Sequence, residues 1–193
     1  MKIESKGNYI DGRFIEPPDA SGSWDLKSPA DFSDVVATVK FSYRAVDEAV
    51  GAARIAWKSW KRTSFSERAD LLKKYQVALK SHELVLAQAM VREVGKPLWE
   101  AKQEVATMVN KVDITLTDSM KLVADVELPN IMEGTRGTSR HRPLGVMAVV
   151  GPFNFPGHLA NGHIVPALAT GNTVVFKPSE KSPMVGQIMA ECF

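Results

Sequence analysis

The chain has 193 residues, 45% of them hydrophobic and 24% charged, and a formal net charge of +2. This composition excludes a disordered, collagenous or disulfide-framed chain, and the length suits one larger domain or parts of two, with a core that needs no cross-links. The nearly balanced charge singles out no nucleic-acid or membrane-surface partner.

The one cysteine, Cys192, cannot pair within the chain, which fits a reducing compartment. Met1 to Lys6 lacks the apolar centre of a signal peptide, and no apolar run reaches transmembrane length. A soluble cytoplasmic protein is expected.

Along the chain, Asn8 to Ile15 reads as a hairpin, because Asp11-Gly12 is a strong turn signal between apolar arms. Pro17 and Pro18 close it, and the β-branched run Val35 to Phe41 predicts a short strand. Amphipathic helices follow. In the first, Val46, Ala49, Val50, Ala53, Trp57 and Trp60 recur at helical spacing and predict a core face. The second opens on the capping-box pattern Ser64-Phe65-Ser66-Glu67 and runs as one helix to Gly95. The third carries Val105, Met108, Val109, Val112 and Leu116 on one face. Leu128-Pro129 then breaks the pattern, and Gly134 to Arg142 reads as an exposed or edge strand. Its basic stretch from Arg136 lacks interleaved aromatics, so it fits a solvated or inter-subunit strand better than a nucleic-acid surface.

The pattern changes after Pro143. Val146 to Val150 is a continuous apolar run, as in a strand buried on both faces. A helix from about Leu159 to Ala169 contains Pro166, which predicts a kink or a late start, and Gly171 is placed to end it. Thr173 to Phe176 is a second buried strand, and a further helix starts after Pro183. Strand–helix–strand–helix is the beginning of a parallel doubly wound sheet. The chain thus divides into a hairpin and helical part over 1–120, an extended arm over 121–143 and a strand–helix–strand–helix unit over 144–193.

Ligands of such sheets bind beyond the carboxyl ends of the strands. The first end is Gly151-Pro152-Phe153-Asn154-Phe155-Pro156, and the second is Lys177-Pro178-Ser179-Glu180. The local pattern leaves two roles open for Asn154. A rigid amide can donate to an oxygen that gains negative charge in a reaction, and a turn asparagine can bond its own backbone. Two roles are open for Lys177 and Glu180 as well: contacts to a ribose, or a weak surface ion pair. No G-x-G-x-x-G follows the first strand and no Walker A pattern occurs, so a nucleotide must be held differently from the common fingerprints. His158 and His163 have no neighbouring carboxylate or cysteine in sequence, so helix packing is expected of them and no metal site is read.

The two strand-end motifs together, Gly151 to Pro156 and Gly171-Asn172-Thr173-Val174-Val175-Phe176-Lys177-Pro178-Ser179-Glu180, resemble the aldehyde dehydrogenase superfamily in residues and spacing. The hairpin and helices fit the start of that family, so the resemblance covers the whole chain. The run Gly157 to Leu168 is similar to the succinylglutamate semialdehyde dehydrogenases of arginine catabolism. The resemblance implies an α/β fold: helices and the first strands of a parallel Rossmann-like sheet, with a hairpin and an oligomerisation strand. It implies an aldehyde substrate and a homo-oligomer. Asn154 would donate to the oxyanion formed when a cysteine thiolate attacks the aldehyde. The backbone of Gly151, Pro152 and Phe153 would line the cofactor cleft, and Lys177, Ser179 and Glu180 would form its ribose end. Glu180 would repel a 2′-phosphate, which favours NAD over NADP.

Members of that family are more than twice as long. Their nucleophilic cysteine and water-activating glutamate come after the point where this sequence stops, and Cys192 matches an ordinary helix position. The chain alone is therefore expected to be inactive and prone to self-association through uncovered strand edges. Its uncapped ending at Ala190-Glu191-Cys192-Phe193 fits a segment of a longer protein. The competing expectation is a non-catalytic remnant that binds nucleotide or assembles with a partner.

Overall fold

The computed structural model describes residues 4–193. Strands β1 (Asn8–Ile10) and β2 (Arg13–Ile15) form the expected hairpin. Asp11 and Gly12 both take left-handed backbone angles, φ 52° and 76°, as a two-residue hairpin turn requires. A second hairpin joins β3 (Gly22–Ser28) to β4 (Asp31–Phe41). The short strand expected at Val35 is thus the end of an 11-residue one. Its partner β3 was not foreseen, because Trp24 and Leu26 alternate with polar residues over too short a run.

Helix α1 (Arg44–Trp60) lies against the parallel sheet, but none of its residues is fully buried. Trp57 and Trp60 are half-buried, which corrects their expected core placement. Trp60 donates its indole N–H to the Leu168 carbonyl at 3.2 Å.

The predicted second helix is two helices, α2 (Phe65–Ser81) and α3 (Glu83–Val94), divided at His82. The division has a local cause. Ser81 Oγ donates to the Ala78 carbonyl at 2.8 Å, and His82 Nδ1 lies 2.8 Å from the same oxygen. Side chains that compete for a helix carbonyl weaken continuation of the ladder. The Ser64–Glu67 capping box at the start of α2 is formed in both directions, at 3.2 and 2.7 Å.

Helix α4 (Leu98–Thr117) packs against α2, α3 and α5. A 3-10 turn follows over Ser119–Val123. Strands β5 (Val126–Met132) and β6 (Thr135–Ser139) pair as an antiparallel hairpin. The basic stretch is partly neutralised by this pairing, because Arg136 and Arg140 reach Glu127 and Asp125 at 3.8 and 3.1 Å.

The parallel unit is β7 (Val146–Val150), α5 (His158–Ala169), β8 (Thr173–Lys177) and α6 (Pro183–Glu191). Strands β7 and β8 pair in parallel, Val146 opposite Thr173 and Val150 opposite Lys177. Helix α5 runs from His158 through Pro166, so the late start does not occur. The principal core joins α2 to α6 through Leu79, Leu86, Met90, Met108, Val165 and Ile188. Val149, Val174 and Phe176 bring one face of the sheet to it. The opposite face is open: Val150 is 72% exposed, which corrects the expectation of a strand buried on both sides. A two-stranded sheet has too few neighbours to cover that face.

Buried carboxylates tie the helical layer to the parallel unit. Glu93, at the end of α3, accepts the Met184 and Val185 N–H groups at 2.7 and 2.9 Å and so caps α6. Burial pushes its carboxyl up to about 8, while the two amides pull the other way. Between its ordinary value of 4.5 and about 8, only the folded chain holds this proton. The stability the proton contributes is complete below the first value and disappears as pH rises through the second. Urea titrations at pH 5 and pH 8 should show Glu93→Gln losing less stability across this window than the unaltered chain. Equal losses in both chains would contradict the assignment.

Candidate functional site

The two strand ends lie side by side. The ladder continues one step past β7, where the Gly151 N–H donates to the Lys177 carbonyl at 2.9 Å. A second link joins the turns above: Lys181 Nζ sits 4.4 Å from the centre of the Phe153 ring. Parallel register, read from the sequence as a pair of strands, therefore brings Gly151–Asn154 and Lys177–Glu180 to one end of the sheet.

Asn154 is exposed, and its side chain has no hydrogen-bond partner among the described residues. The turn asparagine that bonds its own backbone is thus not formed. The backbone around it is held instead. Pro152 and Pro156 restrict it from within. At the far end, Glu104 Oε1 accepts N–H from Gly157 at 2.9 Å and from His158 at 3.0 Å. Glu104 Oε2 accepts from Lys96 Nζ at 2.5 Å, and the same ammonium lies 3.9 Å from the Phe155 ring centre. Gly157 packs directly on the core: a Cβ there would stand 2.5 Å from Met108 Sδ and 2.8 Å from Met90 Cε. Only glycine fits so close an approach.

At the second end, Lys177 is exposed and donates to the Pro178 carbonyl at 2.6 Å. Ser179 is buried; its Oγ accepts the Lys181 N–H at 3.2 Å and donates to Glu180 at 3.3 Å. Glu180 is exposed and forms no ion pair with Lys177 among the described residues. Its own backbone N–H, then Lys177, Ser179 and Lys181, hold its carboxyl below the usual range, so it is anionic at neutral pH.

Lys177, Ser179 and Glu180 line a cavity of about 910 Å³ together with Gln187 of α6, Ala53 of α1 and Tyr9 of the first hairpin. That volume lies within the range of small-molecule and cofactor sites. Gly151, Pro152, Phe153 and Asn154 do not line it. The candidate residues therefore form two neighbouring groups, one on the cavity and one beside it.

Helix N-termini are the usual phosphate sites of such folds. Here both are filled from within the chain, α5 by Glu104 and α6 by Glu93. This is the physical counterpart of the missing glycine fingerprint. The sequence reading did not single out Glu93, Lys96 or Glu104. A signal was present: Glu104 falls at i+3 from Ala101 and i−4 from Met108, inside an otherwise apolar stripe, and Glu93 stands at i+3 from Met90.

His158 is half-buried, and its Nδ1 has no partner among the described residues. His163 is exposed, which corrects the packing role expected of it.

A parallel strand pair joined through a helix, with polar turns at the carboxyl ends, places this chain in the α/β class. Residues 16–193 match the family model described as "Aldehyde dehydrogenase family", and the chain belongs to that family. It is 48% identical over 148 residues to an N-succinylglutamate 5-semialdehyde dehydrogenase of Chromohalobacter salexigens, covering 77% of this chain and 30% of that protein. It is 44% identical over 187 residues to N-succinylglutamate 5-semialdehyde dehydrogenase 2 of Caulobacter vibrioides, covering 97% and 38%. Among solved structures, the NADP-dependent glyceraldehyde-3-phosphate dehydrogenase of Bacillus halodurans, complexed with NADP, superimposes with a TM-score of 0.86 at 28% identity, over 95% of this chain and 39% of that one. The chain thus spans between three and four tenths of these proteins' lengths.

Cys192 lies in the principal core, 7% exposed, and burial, then Glu191, pushes its thiol up to about 11. Such a thiol is a poor nucleophile at neutral pH. Iodoacetamide at pH 8 should label Cys192 slowly in the folded chain and rapidly in urea. Rapid labelling without denaturant would overturn this placement.

Proposed function

We propose that this chain is the N-terminal segment of an NAD-dependent dehydrogenase that oxidises a semialdehyde to a carboxylate. N-succinylglutamate 5-semialdehyde, a substrate of arginine catabolism, is the favoured substrate, supported by the names of the relatives. The observation that carries the reading is Asn154: an exposed amide with no internal partner, on a turn held at both ends, beside the strand end of Lys177 and Glu180.

Asn154 donates its N–H₂ to the oxygen of the tetrahedral species formed when a thiolate attacks the aldehyde carbon. It neither gains nor loses a proton. The thiolate and the water-activating carboxylate belong to sequence beyond Phe193, so the segment alone turns nothing over. The cavity lined by Lys177, Ser179 and Glu180 fits a nucleotide in size and in its polar rim. Bound there, the nicotinamide cofactor supplies the hydride acceptor. Glu180 accepts from ribose hydroxyls and Lys177 donates to ribose oxygens. Ser179 holds Glu180, and the backbone of Gly151, Pro152 and Phe153 borders the cleft. The permanent charge of Glu180 disfavours a 2′-phosphate and favours NAD.

The division into a hairpin and helical part over 1–120, an arm over 121–143 and a cofactor unit over 144–193 belongs to the same reading. The exposed β5–β6 hairpin is the proposed contact of a homo-oligomer. Among the described residues, no helix is long and apolar enough to cross a membrane. A cytoplasmic location accords with the single buried cysteine.

In the longer protein this reading requires, Asn154→Ala should lower kcat about 10²- to 10³-fold, with the cofactor dissociation constant unchanged. Unaltered kcat would remove the oxyanion role. Glu180→Gln should raise kcat/KM with NADP relative to NAD; an unchanged ratio would separate Glu180 from cofactor choice.

A further inference from the structure

The Asn154 amide can stabilise charge only while its turn stays in place, yet the side chain has no bond of its own to the protein among the described residues. Its direction is therefore set wholly by its backbone. The forward end of the turn is held by the Gly151–Lys177 ladder bond, which belongs to the sheet. The rear end is held by side chains of another layer. Lys96 precedes α4 and Glu104 stands near its middle, and both are buried, 8% and 4% exposed. Glu104 grips two successive amides at the start of α5. Lys96 grips Glu104 and at the same time presents its ammonium to the Phe155 ring, one residue beyond Asn154. Glu100, 3.6 Å from the ammonium, completes the cage.

We infer that Lys96 and Glu104 are positioning residues that fix the Asn154 amide in its reactive orientation. Neither touches the reacting atoms in this role. Glu104 sets the height and angle of the turn where it enters α5. Lys96 keeps Glu104 aligned through its 2.5 Å contact to Oε2, and its attraction for the Phe155 ring holds the residue next to Asn154 against the protein. Remove the ammonium and the carboxylate loses its orienting partner while Phe155 loses its anchor. The turn then samples several orientations, and the oxyanion donor is present but misplaced. Displacements of about 1 Å in such groups cost on the order of 100-fold in rate.

The inference rests on the oxyanion role of Asn154, and a double-mutant design separates the two. The enzyme is the full-length dehydrogenase, assayed with its semialdehyde and NAD. Lys96→Met keeps the length of the side chain and removes its charge. Glu104→Gln keeps the volume and one N–H acceptor and serves as the second variant should Lys96→Met not fold. Lys96→Arg keeps the cation. We expect Lys96→Met and Glu104→Gln each to lower kcat about 10- to 100-fold, with the KM for NAD within about twofold of its starting value. Lys96→Arg should recover most of the activity. In an Asn154→Ala background, Lys96→Met or Glu104→Gln should lower kcat no further, because the group they position is gone. Equal losses in both backgrounds would show that the pair acts on something other than Asn154, and would overturn the inference. Full activity in Lys96→Met and Glu104→Gln, with Asn154→Ala still crippled, would overturn it while leaving the oxyanion role intact. Full activity in Asn154→Ala would end both.

Discussion

The turn that carries Asn154 hangs on one buried carboxylate. Glu104 lies inside the protein, where an ion without partners would be expensive by several kcal/mol. It is compensated on three sides, by Lys96 and by the two amides at the start of α5. Such an arrangement offers little net stability over a well-packed apolar contact, but it tolerates only one geometry, because loss of any partner leaves a buried charge. The packing of α4 against α5 is thereby turned into a fixed orientation for the turn between β7 and α5.

Glu93 repeats the device one helix later. It stands buried at the end of α3 and closes the N-terminus of α6 as Glu104 closes that of α5. The α3–α4 pair thus grips both crossover helices by their positive ends. A consequence for ligand binding follows directly. In many doubly wound folds these ends receive phosphate; here they are satisfied internally, and an anionic ligand finds no free helix terminus at either place. The polar groups left for a ligand are side chains on the turns: Asn154 beyond β7, and Lys177 and Glu180 beyond β8.

The two faces of the small parallel sheet differ for a related reason. One is sealed by the helical core through Val149, Val174 and Phe176. Helix α1 packs against both strands of the sheet, and a 910 Å³ cavity opens beside β8, lined by α1, the first hairpin and α6 among others. A chain that spans between three and four tenths of its relatives' lengths leaves ample sequence in those proteins to line this space further. Helix α1 has no buried residue, and its alanines Ala49, Ala52, Ala53 and Ala56 border the cavity.

Much of this was legible in the sequence, for local reasons. Asp11-Gly12 set the first turn, Ser64 and Glu67 set the start of α2, and Pro183 set the start of α6, because each acts through a backbone preference within a few residues. The strand-end motifs at Asn154 and at Lys177–Glu180 were visible because apolar runs end abruptly in proline-framed polar turns. The break at His82 was not visible, since the apolar period continues across it and only the competition for the Ala78 carbonyl divides the helix. The exposure of Val150 and His163 was equally hidden, because hydropathy marks what can be buried and not what a neighbour covers. Above all, Glu104 meets Gly157 across 53 positions and Glu93 meets Met184 across 91. The amino-acid sequence by itself determined most of the elements, the family and the residues at the strand ends, through short-range chemistry. Only the tertiary structure decided which of those residues stand free, and what holds them there, because buried carboxyl groups take their partners from whatever the packing of distant helices brings within reach.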